Sequence, residues 1–195
     1  MARYGKQHKE ATRRRIVETA GQRLKAHGID GSGVATLMAD AGLTNGAFYA
    51  HFDSKEDLVA TTIADQMRGQ AAQFGAQVDD RAGLERLVRE YLSVEHRDNI
   101  EGGCPSAALL DEIGRGAEAT RRAYTDALLQ VIDPIAALLA PDDPESVRAM
   151  VLGVYAMMTG TLQLSRALAD RQLADAVLEQ SIQHILGLLY ADGQS

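Results

Sequence analysis

Residues 34–52 read VATLMADAGLTNGAFYAHF, and the order of apolar, small and polar positions in this stretch is that of two short helices joined by a sharp turn. Val34, Leu37 and Met38 recur at helical spacing and supply an inner face for a helix over 34–41. Ala41 is small enough for two helices to cross, Gly42 suits the turn, and Leu43 plugs the gap. Thr44 caps a third helix through Asn45 to His51, in which Phe48 and Phe52 point inward while Gly46 and Ala47 permit close approach. Thr44, Asn45, Ala47, Tyr49 and His51 are left outward, a set of small, polar and phenolic groups that suits a DNA major groove.

Upstream, an amphipathic helix is expected over Glu10–His27, with Ile16, Val17, Ala20 and Leu24 inward and Gly28 as its stop. Downstream, Ser54 with Asp57 forms a capping-box variant that opens a long helix to about Gln77. Five more helices are read after it: Arg81–Arg97, Pro105 to about Ile113, Glu118–Leu139 with a kink at Pro134, Glu145–Ala169, and Leu173–Tyr190. Scarce aromatics (5 %) beside frequent Ala, Leu and Met favour helices over sheets. The fold expected is all-α: a three-helix head over residues 1–55 and a helical body over 56–195, about nine helices in total.

Charge is unevenly distributed. The chain carries −7 overall, yet residues 1–25 hold eight of the 20 Lys and Arg residues and two of the 27 Asp and Glu residues. A basic end on an acidic body fits one end meeting a polyanion, or equally a solvated amino-terminal tail. The single cysteine, Cys104, excludes an intramolecular disulfide and fits a reducing compartment. The first residues lack the apolar core of a signal peptide, and no apolar run approaches the ~20 residues that cross a bilayer. A cytoplasmic protein without membrane contact is the expectation.

The run GLTNGAFYAHFDSKEDL (42–58), preceded by a basic helix, resembles the amino-terminal signature of the TetR family of one-component regulators. The matching positions are Gly42, Thr44, Gly46, Tyr49, His51, Phe52, Ser54, Lys55, Glu56 and Leu58; Ser32-Gly33 departs from the family's usual Thr pair. The resemblance implies a recognition helix over Thr44–His51. Asn45 would read an adenine edge and the Ala47 methyl would meet a thymine methyl, while Thr44, Tyr49, His51 and Lys55 would hold phosphates. Arg13 and Arg14 would follow the backbone or enter the minor groove, unless that arm is a tail with non-specific attraction only. Tyr49 and His51 could also simply cover the hairpin.

One small head reads too few base pairs to single out a site, so pairing on a palindrome is expected. Val147, Met150, Val151, Val154, Met158 and Leu162, with Val177, Ile182, Ile185, Leu186 and Leu189, offer a homodimer surface within about 145–190. Phe74, Tyr91, Cys104, Tyr124, Met150, Tyr155 and Met158, with Met157, are candidates to line an apolar effector cavity, or are plain core. The segment GGCPSAALLDE resembles one TetR subgroup in which some members sense electrophiles or oxidants through a thiol, so Cys104 is either such a switch or a buried small hydrophobe. The reading is a DNA-binding regulator. The favoured form is a repressor that binds a palindromic operator as a homodimer and is released by a small-molecule or thiol-reactive effector; an activator or a helical protein-interaction module are the alternatives. An enzyme is not expected: Cys104 and His96 lack a third partner, neither a Gly-rich nucleotide loop nor metal-ligand spacing occurs, and no cofactor is called for.

Overall fold

In the computed structural model, which describes residues 2–191, α1 (Ala2–His27) ends where Gly28 turns to φ +77° and its N–H still reaches Leu24 O at 2.8 Å. α2 (Val34–Asp40) begins without a side-chain cap, because its N-cap residue is Gly33; the neighbouring Ser32 hydroxyl donates back to Gly28 O at 2.7 Å. Gly42, at φ +69°, makes the turn, and Leu43 N–H closes it on Met38 O. The next helix is a tight 3-10 segment over Asn45–Ala50. Ser54 accepts from Asp57 N–H while the Asp57 carboxylate accepts from Asp53 N–H, and α3 (Lys55–Gln77) runs on from there.

The stretch read as one helix over 81–97 is two, α4 (Arg81–Tyr91) and α5 (Val94–Asp98). Ser93 breaks it by accepting from His96 N–H, since a serine side chain competes with the backbone ladder and favours a cap. α6 (Pro105–Arg115), α7 (Glu118–Leu139), α8 (Pro144–Ala167) and α9 (Arg171–Ala191) complete the chain, α7 continuing through Pro134.

Two apolar cores form. In the head, Ile16, Val17 and Ala20 of α1 meet Leu37 and Met38 of α2, Phe48 and Phe52, and Leu58 of α3. The larger core joins α3, α4 and α6–α9. α1 and α3 serve both, Leu24 and Val59 turning into the body one turn or one residue away from head residues.

α8 corrects two expectations. By length and composition it is apolar enough to cross a membrane (mean hydropathy 1.2), contrary to the sequence reading. Its apolar residues occupy two faces. Val151, Val154, Met158 and Leu162, offered as a pairing surface, are instead buried in the body core, where α8 packs on α7 and α9; Ile182, Ile185, Leu186 and Leu189 are buried there too, α9 packing on α8 and α4. The outer faces carry other residues: Gly153, Ala156, Met157 (39 % exposed), Gly160 and Leu164 (51 %) on α8, with Leu173 and Leu188 on α9. Val147, Met150 and Val177 lie between, half-buried.

Phe48 is 1 % exposed and stacks on Phe52 with ring centroids 5.8 Å apart. Phe48→Ala is expected to destabilise the chain by roughly 3–5 kcal/mol, read as a lower denaturant midpoint; a loss below about 1 kcal/mol would mean that the head contributes no cooperative core.

Candidate DNA interface and effector cleft

The 3-10 helix is set on the head core by Phe48 and Phe52, which leaves its other side to solvent. Thr44, Asn45 and Tyr49 stand outward there; Tyr49 is 76 % exposed, its ring edge-on to Phe48. Ala47 is half-buried against the head core. His51 is half-buried as well, with its Nδ1 enclosed and without a hydrogen-bond partner among the described residues. Burial, with Lys9 and Arg13 nearby, holds the His51 imidazolium below its ordinary range.

The basic residues are held in ways the sequence did not disclose. Arg13 lays its guanidinium over the Phe52 ring, 4.6 Å from the centroid, and donates to Thr61 Oγ1 at 3.4 Å. Arg14 lines a cleft on the body side of α1. Lys55 donates to Ile29 O at 2.7 Å, which leaves two ammonium donors for a phosphate. Arg23 pairs with Asp40 at 2.6 Å and fastens α1 to α2, a contact 17 residues apart that no periodicity reveals.

The same turn is clasped from the body. The Glu112 carboxylate, near the end of α6, accepts from Ile29 N–H at 2.7 Å and Asp30 N–H at 2.9 Å. A Cβ on Gly28 would collide with that carboxylate, so glycine serves both the positive φ and the close approach.

The cleft measures about 720 Å³ and lies between α1, α3 and the α4–α6 segment. Phe74, Leu87 and Tyr91 give it an apolar wall, and Gln66, Gln70, Gln73 and Asn99 give it amides. Polar and apolar groups line it in about equal measure, where an apolar cavity was expected. Of the candidates, Phe74, Tyr91 and Cys104 line it. Tyr155 and Tyr124 lie beneath, in a hydroxyl cluster: Ser106 Oγ is 2.8 Å from Tyr155 Oη and 3.0 Å from Tyr124 Oη. The Cys104 thiol donates to Gln70 Oε1 at 3.4 Å and is 3.4 Å from Tyr155 Oη. Burial raises the Tyr91 and Tyr155 phenols well above their usual value, keeping both neutral. Met150 and Met158 pack with the body core, where a void of about 20 Å³ remains, and Met157 faces outward. Apolar helix faces fill one another at crystal-like density, which is why they make poor cavity walls.

His96 fixes the thiol turn. Its Nε2 accepts from Cys104 N–H at 2.9 Å, so Nδ1 carries the proton and donates to Tyr91 O at 2.7 Å. Arg166 ties the same region by donating to His96 O and Arg97 O.

A head of this kind, with an exposed polar face set on a rigid helical hairpin, has the geometry of a helix-turn-helix DNA-binding unit. Residues 16–62, which hold this head, match the family model described as bacterial regulatory proteins, tetR family. The fold is also that of solved TetR-family structures. The reduced form of Escherichia coli NemR is 19 % identical, with a TM-score of 0.75 over 90 % of this chain and 95 % of that one. A TetR-family regulator from Agrobacterium tumefaciens is 18 % identical, with a TM-score of 0.71 over 90 % and 98 %. Bacillus subtilis FadR in complex with stearoyl-CoA is 14 % identical, with a TM-score of 0.66 over 88 % and 96 %. The chain has no match among curated protein sequences.

Burial chiefly holds His96 below the ordinary 6.5, with Arg166 and Lys25 acting in the same direction. The folded state therefore favours neutral His96; that stability is present above pH 6.5 and is lost as pH falls through the lowered folded value. His96→Gln should lower the melting temperature at pH 7.5, and its gap to the unmodified protein should narrow toward pH 5. A gap constant over that range would show that Nε2 is not the acceptor for Cys104 N–H.

Proposed function

We propose that this regulator is a repressor that binds a palindromic operator as a homodimer, with residues 1–55 as the reading head and 56–195 as the effector-binding and dimerisation body. The observation that carries the reading is the outward set Thr44, Asn45 and Tyr49 on a helix locked by Phe48 and Phe52. Asn45 suits an adenine edge and Ala47 a thymine methyl; Thr44, Tyr49, His51 and Lys55 suit phosphates. Arg13 is held over the Phe52 ring and Arg14 lines the cleft, which supports a lesser, backbone-following role. Pairing is assigned to the outer faces of α8 and α9. Small residues at 153, 156 and 160 allow helices to approach closely, and Met157, Leu164, Leu173 and Leu188 supply apolar area. The protein is read as acting in the cytoplasm.

Selection of bound sequences from random duplex DNA by the reduced protein should recover an inverted repeat. Asn45→Ala should cost about 1–3 kcal/mol and relax preference at one base pair of each half-site. Tyr49→Phe should weaken all sequences alike and leave the salt dependence unchanged, because the phenol carries no charge to displace counterions. Recovery of unrelated single sites, or of nothing at low salt, would remove the palindrome reading.

The effector site is assigned to the cleft. It borders the head helix α1 and contains Cys104, so both a reversible ligand and a thiol-reactive one would act at the head–body joint. The apolar interior of about 20 Å³ is too small for an acyl chain. N-ethylmaleimide, which adds the Cys104 sulfur across its double bond, should release DNA from the unmodified protein and leave Cys104→Ser bound. Equal release from both proteins would dismiss the thiol route and leave the reversible ligand.

A further inference from the structure

Lys25 is the residue that neither the head nor the thiol turn explains. It lies on α1 yet points away from the recognition face, 8 % exposed, on the floor of the cleft. Its ammonium donates to Gly103 O at 3.0 Å, and among the described residues it forms no ion pair. Glu101 and Cys104 favour its charge from a distance, while burial disfavours it. A buried ammonium on a single carbonyl leaves two N–H donors uncompensated, which is costly unless a counter-charge arrives.

Two further features favour an anion at this spot. α6 starts on the same floor, with Cys104 and Pro105 lining the cleft, and its N-terminus has no side-chain cap. The positive end of a helix of 11 residues thus adds to the ammonium. The acidic groups Glu18, Asp65, Glu90 and Glu95, with the cationic Arg14 among them, line the same cleft, all exposed, where solvent screens them. A basic floor among mostly acidic groups admits one negative charge and opposes several. The amides of Gln66, Gln70 and Gln73 line the cleft too, beside the faces of Phe74 and Tyr91.

We propose that Lys25 is an anion anchor, and that the cleft takes a small organic monocarboxylate with its charged end on the Lys25 ammonium and its body along the amides and the aromatic wall. The inference rests on the reading of the cleft as the effector site. Such a ligand would join α1 of the head to the 102–105 turn of the body through one ion pair.

Benzoate, its neutral counterpart benzamide, and inorganic phosphate are suitable probes, titrated calorimetrically against the full chain without DNA. Benzoate should bind at least tenfold more tightly than benzamide or phosphate. Lys25→Gln, which keeps a donor for Gly103 O, should weaken benzoate at least tenfold and bring it level with benzamide. Equal binding of benzoate and benzamide, or unchanged binding by Lys25→Gln, would each overturn the anchor. Should Lys25→Gln fail to fold, the ammonium signal of Lys25 in a nitrogen-15 spectrum of the unmodified protein decides: it should move with benzoate and stay with benzamide, and a signal that ignores benzoate overturns the anchor. Operator occupancy is measured separately. Benzoate that binds through Lys25 without changing occupancy supports the anchor and removes the effector reading instead.

Discussion

Leu58 and Val59 are neighbours in α3, yet they bury into different cores, one in the head and one in the body. The rest of the architecture depends on that division. A helix is stiff over many turns, so a residue fixed in the head and another fixed in the body of the same helix cannot move independently. α1 repeats the arrangement, with Ala20 in the head core and Leu24 in the body core. The head is therefore positioned by two continuous helices, and any change that tilts α3 against α7 tilts the recognition surface with it. The cleft lies where those two helices meet the body, so an occupant bears directly on the joint.

Local chemistry was legible in the sequence, while two-sided packing was not. Gly28, Gly42, Ser54 and Pro105 mark the ends they were expected to mark, because a positive φ, a cap or a first-turn proline is decided by one residue and its immediate neighbours. The head core was readable for a related reason: Ile16, Leu37, Met38 and Phe48 each present one apolar face at helical spacing. α8 and α9 carry apolar residues on more than one face, so periodicity could not say which side faces inward, and most of the residues chosen for pairing proved to be core. The expected cavity failed similarly. Met158 and Tyr155 are apolar or aromatic and lie on inward faces, and such faces close on each other. The amides and carboxylates of the cleft are scattered over several elements and carry no periodic signal, and Lys25 belongs to it only because α1 passes the 102–105 turn.

The electrostatics of the two faces of α1 differ in kind. On the head side Arg13 and Arg23 are spent on Phe52, Thr61 and Asp40, contacts that hold the head together. On the cleft side Lys25 is buried with a lone carbonyl partner. The cluster of basic residues near the amino terminus is thus not one polyanion-binding stripe; parts of it are structural, and one part faces the body.

Glu112 has a bearing on modularity. Its carboxylate supplies acceptors for the backbone of Ile29 and Asp30, groups that belong to the turn between the first two helices of the head. The head is consequently an incomplete hydrogen-bonded unit by itself. Grafted onto a different body, it would need an acceptor at the same place, reaching over a residue without a side chain. Exchange of reading heads between bodies of this fold is thereby restricted to partners whose α6 carries a carboxylate in register with a glycine.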